Sequence, residues 1–116
     1  MKKLVISFIF LFFIFIASAY AQDQISSKDA KDHVGESANV KGKVASIYTS
    51  EKGNTFINFD DKSPDQSFTV VVFSESKVDI SKITEGCTLT VYGEIKLYKG
   101  KPEIVVDKSE QIISIE

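Results

Sequence analysis

Phe56 and Asn58 alternate with Ile57 and Phe59 in the segment Gly53-Asn54-Thr55-Phe56-Ile57-Asn58-Phe59-Asp60, which sets an aromatic ring two residues from an amide. Successive side chains of an extended strand face opposite sides, so Phe56 and Asn58 share one face while Ile57 and Phe59 share the other. If Ile57 and Phe59 fill a core, Phe56 offers a flat ring on the outer surface. Such a ring can stack a planar ligand, and an amide beside it can hydrogen-bond the ligand's edge. The competing role is structural: Phe56 would cover a short helix at Ser27 to Val34 or a C-terminal extension, leaving Asn58 as a solvent-facing strand residue.

Other chemistries find less support. His33 is the only histidine and Cys87 the only cysteine, so neither a Ser-His-Asp nor a Cys-His arrangement can be assembled. Cys87 opens an alternating apolar run and is expected in the core. Asp60, Asp61 and Asp65 offer oxygen ligands, but their spacing matches no calcium loop, and Pro64 among them marks a turn. Glu94 and Glu103 could face each other across a hairpin, as surface charge. No cofactor motif is present, and the reading is of a protein that is not an enzyme. All 14 basic residues are lysines. Without arginine the chain lacks the bidentate phosphate reader, which disfavours an arginine-assisted nuclease and leaves lysine as a point charge.

The elements that must position these groups begin after a leader. Lys2 and Lys3, an apolar run from Leu4 to Ile16 broken by Ser7, and Ala19-Tyr20-Ala21 form the pattern of a signal peptide over residues 1–21, with cleavage after Ala21. A secreted or periplasmic location without a stable membrane span is the expectation. Residues 22–116 then form a single domain of 95 residues, with twelve lysines against 16 acidic residues.

Ser26 and Ser27 before Lys28-Asp29-Ala30-Lys31-Asp32-His33-Val34-Gly35 predict a short capped helix with Ala30 and Val34 on its buried side. Val40, Gly42 and Val44 then alternate with polar residues, and Ile47 appears in the opposite phase, which predicts a long strand with a bulge. Strands follow at Thr55 to Asp60 and Ser67 to Phe73. Ser74 to Glu85 is uneven, a short helix or an irregular crossing. Cys87, Leu89, Val91, Gly93, Ile95 and Leu97 alternate strictly and predict one strand, which turns at Lys99-Gly100-Lys101-Pro102 into another at Glu103 to Val106. Gln111 to Ile115 reads as a terminal extension or a sixth short strand.

Three strands, a crossing and two more strands, the first long and bent, give an all-β class with short helices, ordered as a five-stranded Greek-key barrel. Val40-Lys41-Gly42-Lys43-Val44, the Gly53 to Asp60 segment, Phe68 to Phe73, and Val91-Tyr92-Gly93-Glu94-Ile95 leading to Tyr98-Lys99-Gly100-Lys101-Pro102-Glu103-Ile104 resemble an oligonucleotide/oligosaccharide-binding (OB) fold of the anticodon-binding type, in a small exported bacterial relative. The resemblance implies a ligand lying across the second and third strands. It places Phe56 as the stacking aromatic, Asn58 and Thr69 beside it, Tyr48 and Lys52 at the first loop, and Tyr98, Lys99 and Lys101 at the last. Tyr98 also suits a hairpin-closing role. Weak binding of single-stranded nucleic acid or nucleotides is the expected function. The alternative is a cell-envelope interaction or stress-tolerance module that takes a protein partner or small ligand.

Overall fold

The apolar period of Val40, Gly42 and Val44 becomes the inner face of one long strand in the computed structural model, which describes residues 24–116. The leader, its cleavage point and the start of the domain at residue 22 lie outside the described residues. The strands are β1 (Gln24–Ser26), β2 (Ser37–Thr49), β3 (Thr55–Phe59), β4 (Phe68–Val72), β5 (Thr88–Glu94), β6 (Lys96–Tyr98), β7 (Lys101–Val105) and β8 (Ile112–Ile115). They hydrogen-bond in the order β6-β7-β4-β3-β2-β5-β8, with β1 added in parallel beside β2.

The change of phase after Val44 is a bulge: the β2–β3 register shifts between Val44 and Ser46. Before it β2 pairs with β5, and after it with β3, so the extra residue lets one strand serve both halves of the curved sheet. The predicted strand from Cys87 to Leu97 divides in the same manner. At Ile95 it leaves β2 and joins β7, and the Ile95 N–H and C=O pair with Glu36 (2.9 Å) and Gly35 (2.7 Å) instead. Hydrogen bonds alone do not close the ring; the chain bridges the gap as β5 runs into β6. With β5 and β6 taken as one, β2, β3, β4, β5/β6 and β7 are the five Greek-key strands, to which β1 and β8 are additions.

The expected helix at Ser27 to Val34 is a 3-10 turn over Ser27–Asp32, capped by the Ser26 side chain, which accepts from the Lys28 N–H. The period of three buries Ser27 and Ala30 together, whereas a period of four would have buried Ala30 with Val34; Val34 is instead exposed. Ser27 settles over Gly42, where a Cβ would collide with the Ser27 hydroxyl. Its hydroxyl donates to the Asp60 carboxylate at 2.6 Å, and the Ser67 hydroxyl donates to the same oxygen. One carboxylate thereby ties the N-terminal turn to the ends of β3 and β4.

Phe59 and Phe68 meet edge to face in the core, 5.1 Å apart, among Val40, Val44, Ile57 and Ile104. Cys87, expected within the core, packs against it but is only partly buried, at the turn that leads into β5, where its carbonyl accepts from the Val44 N–H (2.9 Å). The Ser74 to Glu85 segment is an irregular crossing opened by a 3-10 turn at Ser74–Ser76, and Ile83 is its buried anchor. Among the described residues, no helix is long and apolar enough to cross a membrane.

Candidate functional site

The outer face of the sheet is built by register. Tyr48 of β2 lies opposite Phe56 of β3, which lies opposite Val71 of β4 and, beyond it, Val105 of β7. One step along the strands, Ser46, Asn58, Thr69, Glu103 and Lys96 form a second row. Tyr98 and Lys101 face each other in a third. The first row is aromatic and apolar, the second polar, and the third aromatic with a cation.

A groove of about 580 Å3 runs over these rows. Its size falls within the ordinary range of small-molecule sites, roughly 300–1,000 Å3. The β6–β7 hairpin forms one wall, its two-residue turn made by Lys99 (φ 50°) and Gly100 (φ 79°). Both central residues lie in the left-handed region, as a twisted hairpin of this length requires, and glycine takes one of the positions at little cost. Lys62, Ser63, Pro64 and Gln66 of the β3–β4 loop form a second wall.

Tyr48, Phe56, Asn58, Thr69, Tyr98, Lys99 and Lys101 all line this groove. Lys52 does not: it sits exposed in the turn after β2, away from the lining. Asn58 and Thr69 are buried, so they are floor and not exposed edge readers. Their polar atoms are engaged in a chain in which Gln66 Nε2 donates to Thr69 Oγ1 (3.2 Å), Thr69 donates to Asn58 Oδ1 (3.1 Å), and Asn58 Nδ2 donates to Ser46 Oγ (3.1 Å). Buried polar groups need such partners, and their mutual satisfaction keeps the floor rigid.

Phe56 is half-buried and stacks with Tyr48, their rings 6.3 Å apart and inclined by 28°. Its ring lies in the groove beside Tyr48. Tyr98 is exposed on the hairpin, with the Lys99 ammonium 5.4 Å from its ring centroid. The Lys101 ammonium donates to the Gln66 backbone carbonyl at 3.2 Å and joins the two walls.

Sequence reasoning missed Ser46, Glu103 and Pro102 as groove residues, and with them Lys62, Ser63, Pro64 and Gln66 of the β3–β4 loop. Glu103 does not face Glu94 across a hairpin: Glu94 pairs with Ser37 on β2, whereas Glu103 stands between Thr69 and Lys96. Burial pushes the Glu103 carboxyl above its ordinary range, and the nearby Lys96 charge partly opposes this. Away from the groove, His33 Nδ1 pairs with Glu36 at 3.1 Å, and among the described residues no three potential metal ligands gather. The groove can therefore stack flat rings between aromatic ends, place lysines against negative charge, and offer the Glu103 carboxylate as a hydrogen-bond acceptor.

A model of the OB-fold nucleic acid binding domain, in its tRNA anti-codon form, matches residues 38–112. The chain belongs to this family. Among solved structures, the OB domain is similar to a protein assigned as an aspartyl-tRNA synthetase from Leishmania major Friedlin, at 12% identity and a TM-score of 0.55 over 77% of this chain. It spans 20% of the synthetase chain. It is also similar to the OBody AM1L10, solved bound to hen egg-white lysozyme, at 15% identity and a TM-score of 0.50, over 67% of this chain and 79% of the other. These likenesses establish the OB architecture. No curated protein matches the chain.

Proposed function

We propose that this OB domain is an exported, non-enzymatic binding protein that holds single-stranded nucleic acid or nucleotides weakly in the groove across β3 and β4. The observation that carries the reading is the convergence of Tyr48, Phe56 and Tyr98 with Lys62, Lys99 and Lys101 around one groove. Aromatic faces stack successive bases for about 1–3 kcal/mol each, and lysines on the rim neutralise the phosphates between them. Membership of a nucleic-acid-binding OB family supports the same reading, and the pattern of residues 1–21 supports export. Fluorescence anisotropy of labelled single-stranded DNA and RNA, titrated at low and moderate salt, tests it; absence of binding at low salt would reject it.

A second reading is favoured by the charge of the chain. With 16 acidic residues and no arginine, the domain is poorly suited to tight electrostatic capture of a polyanion, and a cell-envelope protein or small ligand in the same groove fits that balance. The OBody, whose structure holds lysozyme, is an OB-fold protein with a protein partner. Binding insensitive to salt would favour this reading over the first.

A further inference from the structure

Glu103 has no place in a groove that only attracts phosphate. Glu103 lines the groove between Thr69 and Lys96, and its side chain has no hydrogen-bonding or ion-pair partner among the described residues. Both oxygens are therefore available as acceptors. The Lys96 ammonium stands opposite it in the register but beyond ion-pair distance, and Lys101, two residues along β7, is turned to the Gln66 carbonyl. Lys62 and Lys99 stand on the rim. A strand running through the groove with its phosphates at that rim would turn its bases toward Glu103.

Tyr98 sets which base arrives there. It pairs with Lys101, so it is the diagonal neighbour of Glu103 across the β6–β7 hairpin, and diagonal neighbours lie within reach of aromatic and long side chains. A base stacked on Tyr98 would lie within reach of the carboxylate. Uracil and thymine offer a single N–H flanked by two carbonyl oxygens, which a carboxylate repels. Cytosine and adenine offer an amino group. Guanine alone offers two adjacent donors, its ring N–H and its amino group, matched in spacing to the two oxygens of one carboxylate.

We propose that Glu103, with Tyr98 as its stacking platform, makes the groove selective for guanine over thymine or uracil. This rests on the nucleic-acid reading of the groove and adds base specificity to it. The acceptor is purely an acceptor only while ionised, and the partial burial that raises its pKa also strengthens a hydrogen bond made to it.

The test uses the domain with labelled pentanucleotides of thymidine that carry guanine, inosine or thymine at the centre, at low salt. Inosine keeps the ring N–H and lacks the amino group. The expected order is guanine, then inosine, then thymine, with about a tenfold span from first to last, the usual scale of one good bidentate base contact. Glu103→Gln, nearly isosteric at a partly exposed position, should fold with an unchanged circular dichroism spectrum and collapse the guanine preference, guanine binding weakening while thymine binding strengthens as the repulsion is lost. Equal affinity for the three oligonucleotides would overturn the base selectivity and leave the groove reading in place. A guanine preference that survives in Glu103→Gln would overturn the assignment to Glu103. Failure of all three to bind the wild-type domain would overturn the nucleic-acid reading itself.

Discussion

Tyr48 and Phe56 stand opposite each other in the β2–β3 register with their rings 6.3 Å apart, yet they are unequal partners, since Tyr48 is 60% exposed and Phe56 is half-buried. Removing Tyr48 takes away stacking surface and little packing. Tyr48→Ala should weaken single-stranded DNA binding by about 1–3 kcal/mol with the melting temperature nearly unchanged. Phe56→Ala should lose a similar amount of binding and also melt earlier, because its half-buried ring contributes to the floor. Anisotropy and thermal melts on the two variants separate the effects. Wild-type affinity in both would remove stacking from this end of the groove.

Glu103 gives a pH dependence whose sign follows from its environment. Its folded pKa is raised above 4.5 by burial, so the folded state holds the proton more tightly than the unfolded chain. The cost to stability is therefore full above the folded pKa, fades as the pH falls from there toward the unfolded value, and is gone below it. Glu103→Gln should melt at a higher temperature than wild type near neutral pH, and the two should converge in acid. A variant that is less stable at neutral pH would show that Lys96 attraction outweighs burial.

Much of this architecture is legible in the residue order. The jump from Val44 to Ile47 marks the bulge, and Lys99-Gly100 marks the hairpin, because both are local consequences of strand period and turn conformation. Most of the groove residues that the sequence did not announce come together from distant segments. Nothing near Gln66 says that its loop lies over β4, and nothing in Ser46 says that it faces Asn58; each depends on a register set elsewhere. The split of the last long strand at Ile95 is equally hidden, since strict alternation continues through it while the hydrogen-bonding partners change. β1 is too short for any period to show.

Gly42 is where the N-terminal turn meets the barrel. A Cβ there would lie 2.7 Å from the Ser27 Cβ and 2.9 Å from the Phe59 ring. Gly42→Ala should displace the turn, break the Ser27 to Asp60 hydrogen bond and cost about 1–3 kcal/mol, the usual scale of an overpacked core. Chemical denaturation measures the loss, and hydrogen exchange at the His33 amide, bonded to the Ala30 carbonyl, reports whether the turn has lifted. Unchanged protection there would place the strain elsewhere.

Phe59 separates the two faces of β3. It is fully buried against Phe68, so Phe59→Ala should cost about 3–5 kcal/mol, a large share of the stability of so small a domain. Urea unfolding should show a much lower midpoint or no folded baseline. A loss under 1 kcal/mol would mean that the barrel interior repacks freely.

The rim lysines can be counted through salt. Each phosphate neutralised on a single strand contributes about −0.7 to the slope of log affinity against log salt. Lys101 already holds the Gln66 carbonyl, so its replacement would disturb the groove wall as well as its charge. Lys62 and Lys99 are exposed and make no ion pair among the described residues, which makes them the cleaner pair to change. Replacing both with glutamine should flatten the slope by about 1.4 while leaving the melting temperature near that of wild type. An unchanged slope would put the phosphates on another surface. A wild-type slope already near zero would take the polyanion out of the groove and favour the protein or small-ligand partner.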